Sequence, residues 1–297
     1  MTELTIFSTP KPFIDEHITL IQRNAIQSWM SLGDDVRVIL VGDEQGMDGV
    51  AREFGLIHIR EVAANQKGTP LVSSIFLEAE RSSETPLLAY VNADILLMPD
   101  FLESARTVNS LCNEFLVVGQ RWDLDIDRPL HFSSDWVPSL RHEAQQRGEM
   151  HRPAGSDFFI FPRGLFDHIP DFAIGRAGWD NWMIYYGVSQ PWPVIDATSS
   201  IMTVHQNHDY AHLPGGRAHY KLDETFENAG LGGGMANMYM ILDTDKELRS
   251  GRIQRPRFRL ARLIRRLERR VFPPDGRQHG PRWGLTRRLR RLRRRFA

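Results

Sequence analysis

Four short β-rich runs, at residues 5–8, 36–41, 56–59 and 87–91, are separated by stretches with helical periodicity, and this alternation restricts the fold more than any other feature. Residues 14–32 place apolar side chains at 14, 18, 21, 25/26 and 29/30, spacings of three to four that suit an amphipathic helix ended by Gly33. Residues 46–54 read as a short helix capped by Gly55, and residues 71–82 as a third helix after the polar loop 65–70. A strand–helix series of this kind forms a parallel sheet with right-handed crossovers. Ligands of such sheets collect at the strands' carboxyl ends. Those ends are Ser8-Thr9-Pro10, Asp43 and the triplet Asn92-Ala93-Asp94.

The second half is less regular. It predicts a helix over 100–113, a strand over 115–118, an irregular segment over 121–135 and an exposed helix over 139–148. A buried strand at 156–161, an aromatic-rich helix at 179–186 and strands at 193–197 and 201–205 follow. Residues 215–234 carry two glycine clusters and no hydrophobic period, the pattern of a long functional loop.

With 297 residues, 41% hydrophobic and 25% charged, the chain can bury one large core or two ordinary ones. No apolar run approaches the roughly 18 residues a membrane span needs. The opening MTELTIFSTPKPF lacks the apolar region of a signal peptide. Cys112 is the single cysteine, which excludes an internal disulfide and fits a reducing cytoplasm.

Asn92 and Asp94 are two apart, so both reach one ligand only where the backbone leaves extended geometry, as at a strand end. A divalent cation holding a diphosphate suits such a pair, since hard ions take oxygen ligands. A plain turn, in which Asn and Asp are also common, is the other reading.

The order of motifs resembles the GT-A fold nucleotide-sugar glycosyltransferases, in a family 2-like, poorly characterised bacterial branch. The matching pieces are the first loop at 8–12, the acid Asp43 after the second strand, the Asn92-Ala93-Asp94 triplet, Gly155-Ser156-Asp157, the aromatic-flanked acid of GRAGWDNWMIYYG, and a late histidine in DATSSIMTVHQNHDY. The likeness covers residues 4–234. It implies a three-layer α/β/α sandwich with a mostly parallel central sheet. The implied activity moves a sugar from a nucleoside-diphosphate donor to an acceptor hydroxyl with the help of Mn²⁺ or Mg²⁺.

Residue by residue, the resemblance sets Thr9, Pro10 and Asp43 against the nucleoside and makes Asn92, Asp94 and His205 metal ligands. Asn92 stands where aspartate is commoner, which removes one negative charge from the site. An imidazole ligand suits Mn²⁺ better than Mg²⁺; alternatively, His205 belongs to a polar turn with His208 and His212. Asp180 is the candidate base for an inverting displacement, desolvated by Trp179 and Trp182, whose rings also offer stacking faces for sugars. Its competing role is N-cap of a helix at 181–186. Asp157 is a candidate ligand for donor-sugar or acceptor hydroxyls, or else opens an Asx turn. Lys67 and Arg176 are candidates for the pyrophosphate, with Arg217 and the glycines at 215–216 and 230–234 forming a lid.

Neutral overall, the chain is sharply polarised. From Arg252 onward it carries 18 arginines, no lysine and two acids, a net +16 that leaves −16 on the remainder. This divides it into a catalytic domain at 1–250 and a basic tail at 251–297. Leu260, Leu263, Ile264, Leu267 and Val271, then Leu285, Leu289, Leu292 and Phe296, form apolar stripes among the arginines, with Trp283 between. Two basic amphipathic helices read as an anchor on an anionic membrane surface, which suits a lipid-linked acceptor. Nucleic acid lacks a recognised motif here, and docking on a partner or on the chain's own acidic body is the third reading. The resemblance and the basic tail together imply, as an expectation, a cytoplasmic, membrane-peripheral glycosyltransferase. Its rivals are a nucleotidylyltransferase, whose glycine-rich first loop is missing at 8–12, and a silent carbohydrate-binding scaffold held by its tail.

Overall fold

The computed structural model describes residues 2–208, 222–273 and 276–296. The first half follows the expected alternation: β1 (Leu4–Ser8), α1 (Glu16–Met30), β2 (Val36–Val41), α2 (Met47–Phe54), β3 (Ile57–Ile59), α3 (Val72–Arg81) and β4 (Leu87–Val91). Asp15 caps α1 by accepting from Ile18 N at 2.8 Å. β1 lies parallel to both β2 and β4, and β2 to β3. Because strand side chains alternate in direction, Leu4, Ile6, Leu87, Ala89 and Val91 meet Ala25, Ile26 and Trp29 of α1 on one face. Phe7, Leu88 and Tyr90 meet Ile75 and Phe76 of α3 on the other.

Then follow β5 (Ile95–Leu96), α4 (Asp100–Leu111), β6 (Leu116–Val118), β7 (Arg121–Leu124), α5 (Trp136–Arg147), β8 (Glu149–Met150), β9 (Phe158–Pro162), α6 (Trp179–Val188), β10 (Val194–Asp196) and β11 (Thr203–Gln206). The chain closes with α7 (Asp223–Leu231), β12 (Lys246–Arg249), β13 (Arg252–Gln254), α8 (Leu260–Val271) and α9 (Gly280–Arg293). The main sheet has nine strands in the order β13-β12-β10-β6-β9-β4-β1-β2-β3. It is mostly parallel; β9 runs against both β4 and β6, and β13 against β12. A small sheet, β5-β11-β7-β8, starts directly after the 92–94 triplet.

Three expectations need correction. Residues 121–124 form a strand rather than part of an irregular segment, and residues 223–231 a helix rather than a glycine-rich loop. His212, Gly215, Gly216 and Arg217 lie outside the described residues. Finally, the division drawn at 250/251 falls inside a two-residue hairpin turn, with Ser250 at φ 49° and Gly251 at φ 69°, which joins β12 to β13.

The tail docks on the acidic body through α8, and α9 packs on α8. Arg262 donates to Asp196 Oδ2 at 3.0 Å and to the Thr244 carbonyl at 3.0 Å. Arg265 donates to Asp243 Oδ2 at 2.9 Å and to the Met238 carbonyl at 3.0 Å. Glu268, 1% exposed, accepts from Arg265 (3.1 Å), Arg290 (2.9 Å) and Arg293 (2.9 Å) and so ties α8 to α9. The packing inverts a common amphipathic arrangement: paired charges face inward, while Leu263 and Leu267 stay 42% and 41% exposed.

Candidate functional site

A cavity of about 630 Å³ opens at the carboxyl ends of β1 and β4. It is lined by Thr9, Pro10, Lys67, Asn92, Asp94, Asp157, Arg176, Trp179, Asp180 and His205, all singled out from sequence. Lys11, Glu44, Tyr90, Arg121 and His151, which had no assigned role, line it too, as does His208.

Asp94 sits partly buried at this rim. β11 runs antiparallel to β5 with His205 opposite Ile95, and Gln206 N donates to the Asp94 carbonyl at 3.1 Å. Sheet pairing thus delivers a histidine distant in sequence to the end of β4. Asp94 Oδ2 lies 3.1 Å from His208 Nε2 and 3.7 Å from His205 Nε2, and its Oδ1 is buried with no hydrogen-bond partner among the described residues. Burial pushes this carboxyl's pKa up, but His205, the hydrogen bond from His208 and Lys11 outweigh it and hold the pKa well below the ordinary range.

One ligand atom from each of Asp94, His205 and His208 falls within 4.8 Å of the others. A carboxylate and two imidazoles with a spare buried oxygen fit a divalent cation, Mn²⁺ in particular. Asn92 stands at the same strand end but gives its Nδ2 to Asp157 Oδ1 at 2.8 Å. His208, set aside as part of a turn, supplies a donor instead.

β7 provides the supporting layer. Asp123, in register with His205, places Oδ1 3.2 Å from His205 Nδ1 and Oδ2 2.7 Å from His151 Nδ1. A carboxylate on the far ring nitrogen fixes the tautomer and turns Nε2 toward Asp94. Arg121 spans Asp123 (2.8 Å) and Asp157 (2.6 Å). Asp157, just before β9, is therefore held by Arg121 and Asn92 together.

Across the cavity, α6 begins at Gly178, which has φ 110° and is the N-cap. Asp180 is the second residue of the helix and accepts from Gly178 N at 3.3 Å, so the expected N-cap role is corrected. Its carboxylate lies against the backbone of Gly155, where a Cβ would sit 1.6 Å from Oδ2. Burial, with the Asp157 charge adding, raises its pKa to about 6.

Other positions differ from expectation. Asp43 is exposed and off the cavity, and Glu44 lines it instead. Gly42, at φ 122°, takes the chain out of strand geometry here. Trp182 packs on Tyr186 (5.0 Å between ring centres) and Phe172 (5.3 Å), away from the cavity, so it offers no sugar platform. Trp179, 5% exposed, packs edge-on against Tyr90 at 5.1 Å and serves as wall. Lys67 pairs with Glu227 at 3.1 Å and Arg176 with Glu224 at 2.7 Å, both at the cavity's edge.

No family model and no curated protein matches the chain. Solved structures do. Glucosyl-3-phosphoglycerate synthase of Mycobacterium tuberculosis is similar at TM-score 0.50 and 14% identity, over 78% of this chain and 81% of that one. A mannosyltransferase of Pyrobaculum calidifontis, solved with GDP-Man and Mn²⁺, aligns at TM-score 0.44 and 15% identity over 70% of this chain. S. aureus TarS 1-349 with UDP-GlcNAc aligns at TM-score 0.32 and 12% identity over 44% of it. This chain spans 58% of the mannosyltransferase and 37% of the TarS chain. The architecture is thus GT-A, the α/β/α layering found in nucleotide-sugar glycosyltransferases.

Proposed function

We propose that the chain is a metal-dependent glycosyltransferase that moves a sugar from a nucleoside-diphosphate donor to an acceptor hydroxyl. The observation that carries this reading is one cavity with two unlike buried acids: Asp94 beside two histidines with a bare oxygen, and Asp180 with its pKa raised. Asp94, His205 and His208 would hold the cation, with Asn92 beside them; a divalent ion there supplies charge neutralisation for the departing diphosphate.

The chain's own groups account for the remaining steps. Thr9, Pro10 and Glu44 border the space for the nucleoside, and Lys11, Lys67 and Arg176 bring positive charge toward the diphosphate. Asp157, oriented by Arg121, supports a hydroxyl of either sugar. Asp180 Oδ takes the proton of the acceptor hydroxyl as its oxygen bonds to the anomeric carbon. The carbon–oxygen bond to the diphosphate breaks, and its electron pair leaves with that group. This is a single displacement with inversion. A carboxylate with pKa about 6 is largely ionised at neutral pH yet basic enough to accept the proton.

A peripheral position on the cytoplasmic face of a membrane, with a lipid-linked acceptor, extends the proposal. Support comes from the exposed Phe258, Leu263, Leu267, Leu285 and Leu292 among the tail's arginines. Among the described residues no helix is long and apolar enough to cross a bilayer.

Calorimetric titration of UDP and GDP with and without Mn²⁺, followed by a screen for nucleotide-sugar hydrolysis, tests the reading. Metal-dependent diphosphate binding that vanishes in Asp94→Ala is expected. Equal binding and turnover by parent and variant would overturn it.

A further inference from the structure

We propose that a second cavity, walled by the docked tail, is the acceptor subsite and takes an acceptor carrying a phosphate or diphosphate group; this rests on the glycosyltransferase reading above. The cavity, about 870 Å³, lies between residues 152–154, residues 235–240 and the helices α8 and α9. Eight of its lining residues are arginines and one, Glu268, is an acid. Glu268 already accepts from three of those arginines and has no charge to spare.

The decisive feature is where the pairing stops. Arginines that face the body are matched, Arg262 by Asp196 and Arg265 by Asp243. Arg152, Arg266, Arg270 and Arg294, which line the cavity, are given no ion pair or side-chain hydrogen bond by the described residues. Arg266 and Arg270 are one helical turn apart, a like-charge pair that disfavours α8 unless an anion sits between. Arg269 is held over the Tyr239 ring at 3.7 Å, which fixes a further guanidinium at the cavity wall.

Several unpaired guanidinium forks around a concavity match a group with many acceptor oxygens, as phosphate has, better than a neutral sugar. A donor diphosphate has no need of this space, since Lys11, Arg176 and the histidine-flanked Asp94 serve the other cavity. Location supplies the link to the reaction. Ala154 and Asn181 border both cavities, and Asn181 follows Asp180. An acceptor anchored by its phosphate among the arginines would reach past Asn181 and present its hydroxyl to Asp180.

The chemistry fits both a soluble phosphate ester and the headgroup of a lipid-borne diphosphate, and the test separates them. Full-length protein in chelator-containing buffer is titrated with inorganic pyrophosphate. It is then sedimented with phosphatidylcholine vesicles with and without a polyprenyl diphosphate. The Arg266→Ala/Arg270→Ala double variant should bind pyrophosphate at least about tenfold more weakly, with an unchanged or raised Tm, while Asp94→Ala binds as the parent does. If the parent also sediments with the diphosphate-bearing vesicles, and the double variant does not, the source is a lipid headgroup. Pyrophosphate binding without sedimentation indicates a soluble ester. Pyrophosphate affinity unaffected by the double substitution, or lost in Asp94→Ala, overturns the subsite. Mn²⁺-dependent UDP or GDP binding by the same double variant reports on the donor cavity separately, so failure of the subsite and failure of the glycosyltransferase reading give different results.

Discussion

The rim of β4 and the docked face of α8 both bury carboxylates, and they treat the charge in opposite ways. On α8, Glu268 is surrounded by three guanidinium groups that outweigh the cost of burial and lower its pKa. At the cavity, Asp180 is partly buried with backbone donors alone, and its pKa climbs to about 6. Satisfied charge holds two elements together; dissatisfied charge is available for proton transfer. Asp94 stands between these cases, with one oxygen engaged by a histidine and the other bare.

The sharpest way to break the contrast is to neutralise Asp180. Asp180→Asn should lower kcat by about 10²–10⁴-fold, the usual share of a general base, with little change in donor KM. In the parent, kcat should rise with pH through about 6 as the carboxyl loses its proton, and the variant should lack that limb. A pH–rate profile of both proteins decides the matter. An identical limb in the variant would assign the titration elsewhere.

Glu268→Gln comes next. It leaves three arginines around a neutral amide, two of them less than a tenth exposed. Removing one partner of a buried ion pair costs about 3–5 kcal/mol. Hydrogen exchange should show the backbone amides of α8 and α9 opening more readily by that amount, with the amides of β1 and β4 unaffected. Uniform loss of protection throughout would mean that the tail is part of the global folding unit.

Stability should respond to Asp180 in the reverse direction. A folded-state pKa of about 6 against an ordinary 3.8 means that the native protein binds this proton more tightly than the unfolded chain does. The favourable contribution is complete below about pH 4 and fades as pH rises through about 6. At pH 8, Asp180→Asn should be more stable than the parent by up to about 3 kcal/mol, and at pH 4 the two should differ little. Urea melts at both pH values measure this, and a variant that is less stable at pH 8 would contradict the burial argument.

Asp123→Ala probes the supporting layer and should act more gently. Without the carboxylate on His205 Nδ1, Mn²⁺ affinity should fall about 10–100-fold while the fold persists. Calorimetry with Mn²⁺ alone is enough, and unaltered affinity would leave Asp123 a purely structural partner of Arg121.

The sequence made these regions unequally legible, for physical reasons. The runs at β1, β2 and β4 are buried on both faces, so continuous apolar character marked them. β7, Arg-Trp-Asp-Leu, does alternate, but four residues are too few to stand out. Its charged members, Arg121 and Asp123, are the ones that support the site. Asp43 was chosen as the first acid after β2, but Gly42, at φ 122°, turns the chain there and Glu44 is the acid that reaches the cavity. The pairing of His208 with Asp94, or of Arg262 with Asp196, leaves no local trace at all. In α8 the periodicity was legible but the docking was not: Arg262 and Arg265 meet body carboxylates and Ile264 is buried, while Leu263 and Leu267 point outward.

The smallest expected effect is a control on that lesson. Arg23 and Glu53 form a two-point pair on the surface between α1 and α2, with side chains 30% and 52% exposed. The pairing chemistry matches that around Glu268, but water screens it, so Arg23→Ala should cost only about 0.2–1 kcal/mol, part of that through lost packing on Phe54. Raising the salt concentration should shrink the difference between Arg23→Ala and its parent, because exposed charges are screened over about 10 Å at moderate ionic strength. The same salt should leave the Glu268→Gln penalty nearly intact, since no ions reach a carboxylate that is 1% exposed. If both variants responded equally to salt, burial would not be what separates the two kinds of ion pair, and the distinction between structural and chemical acids drawn from Glu268 and Asp180 would lose its basis.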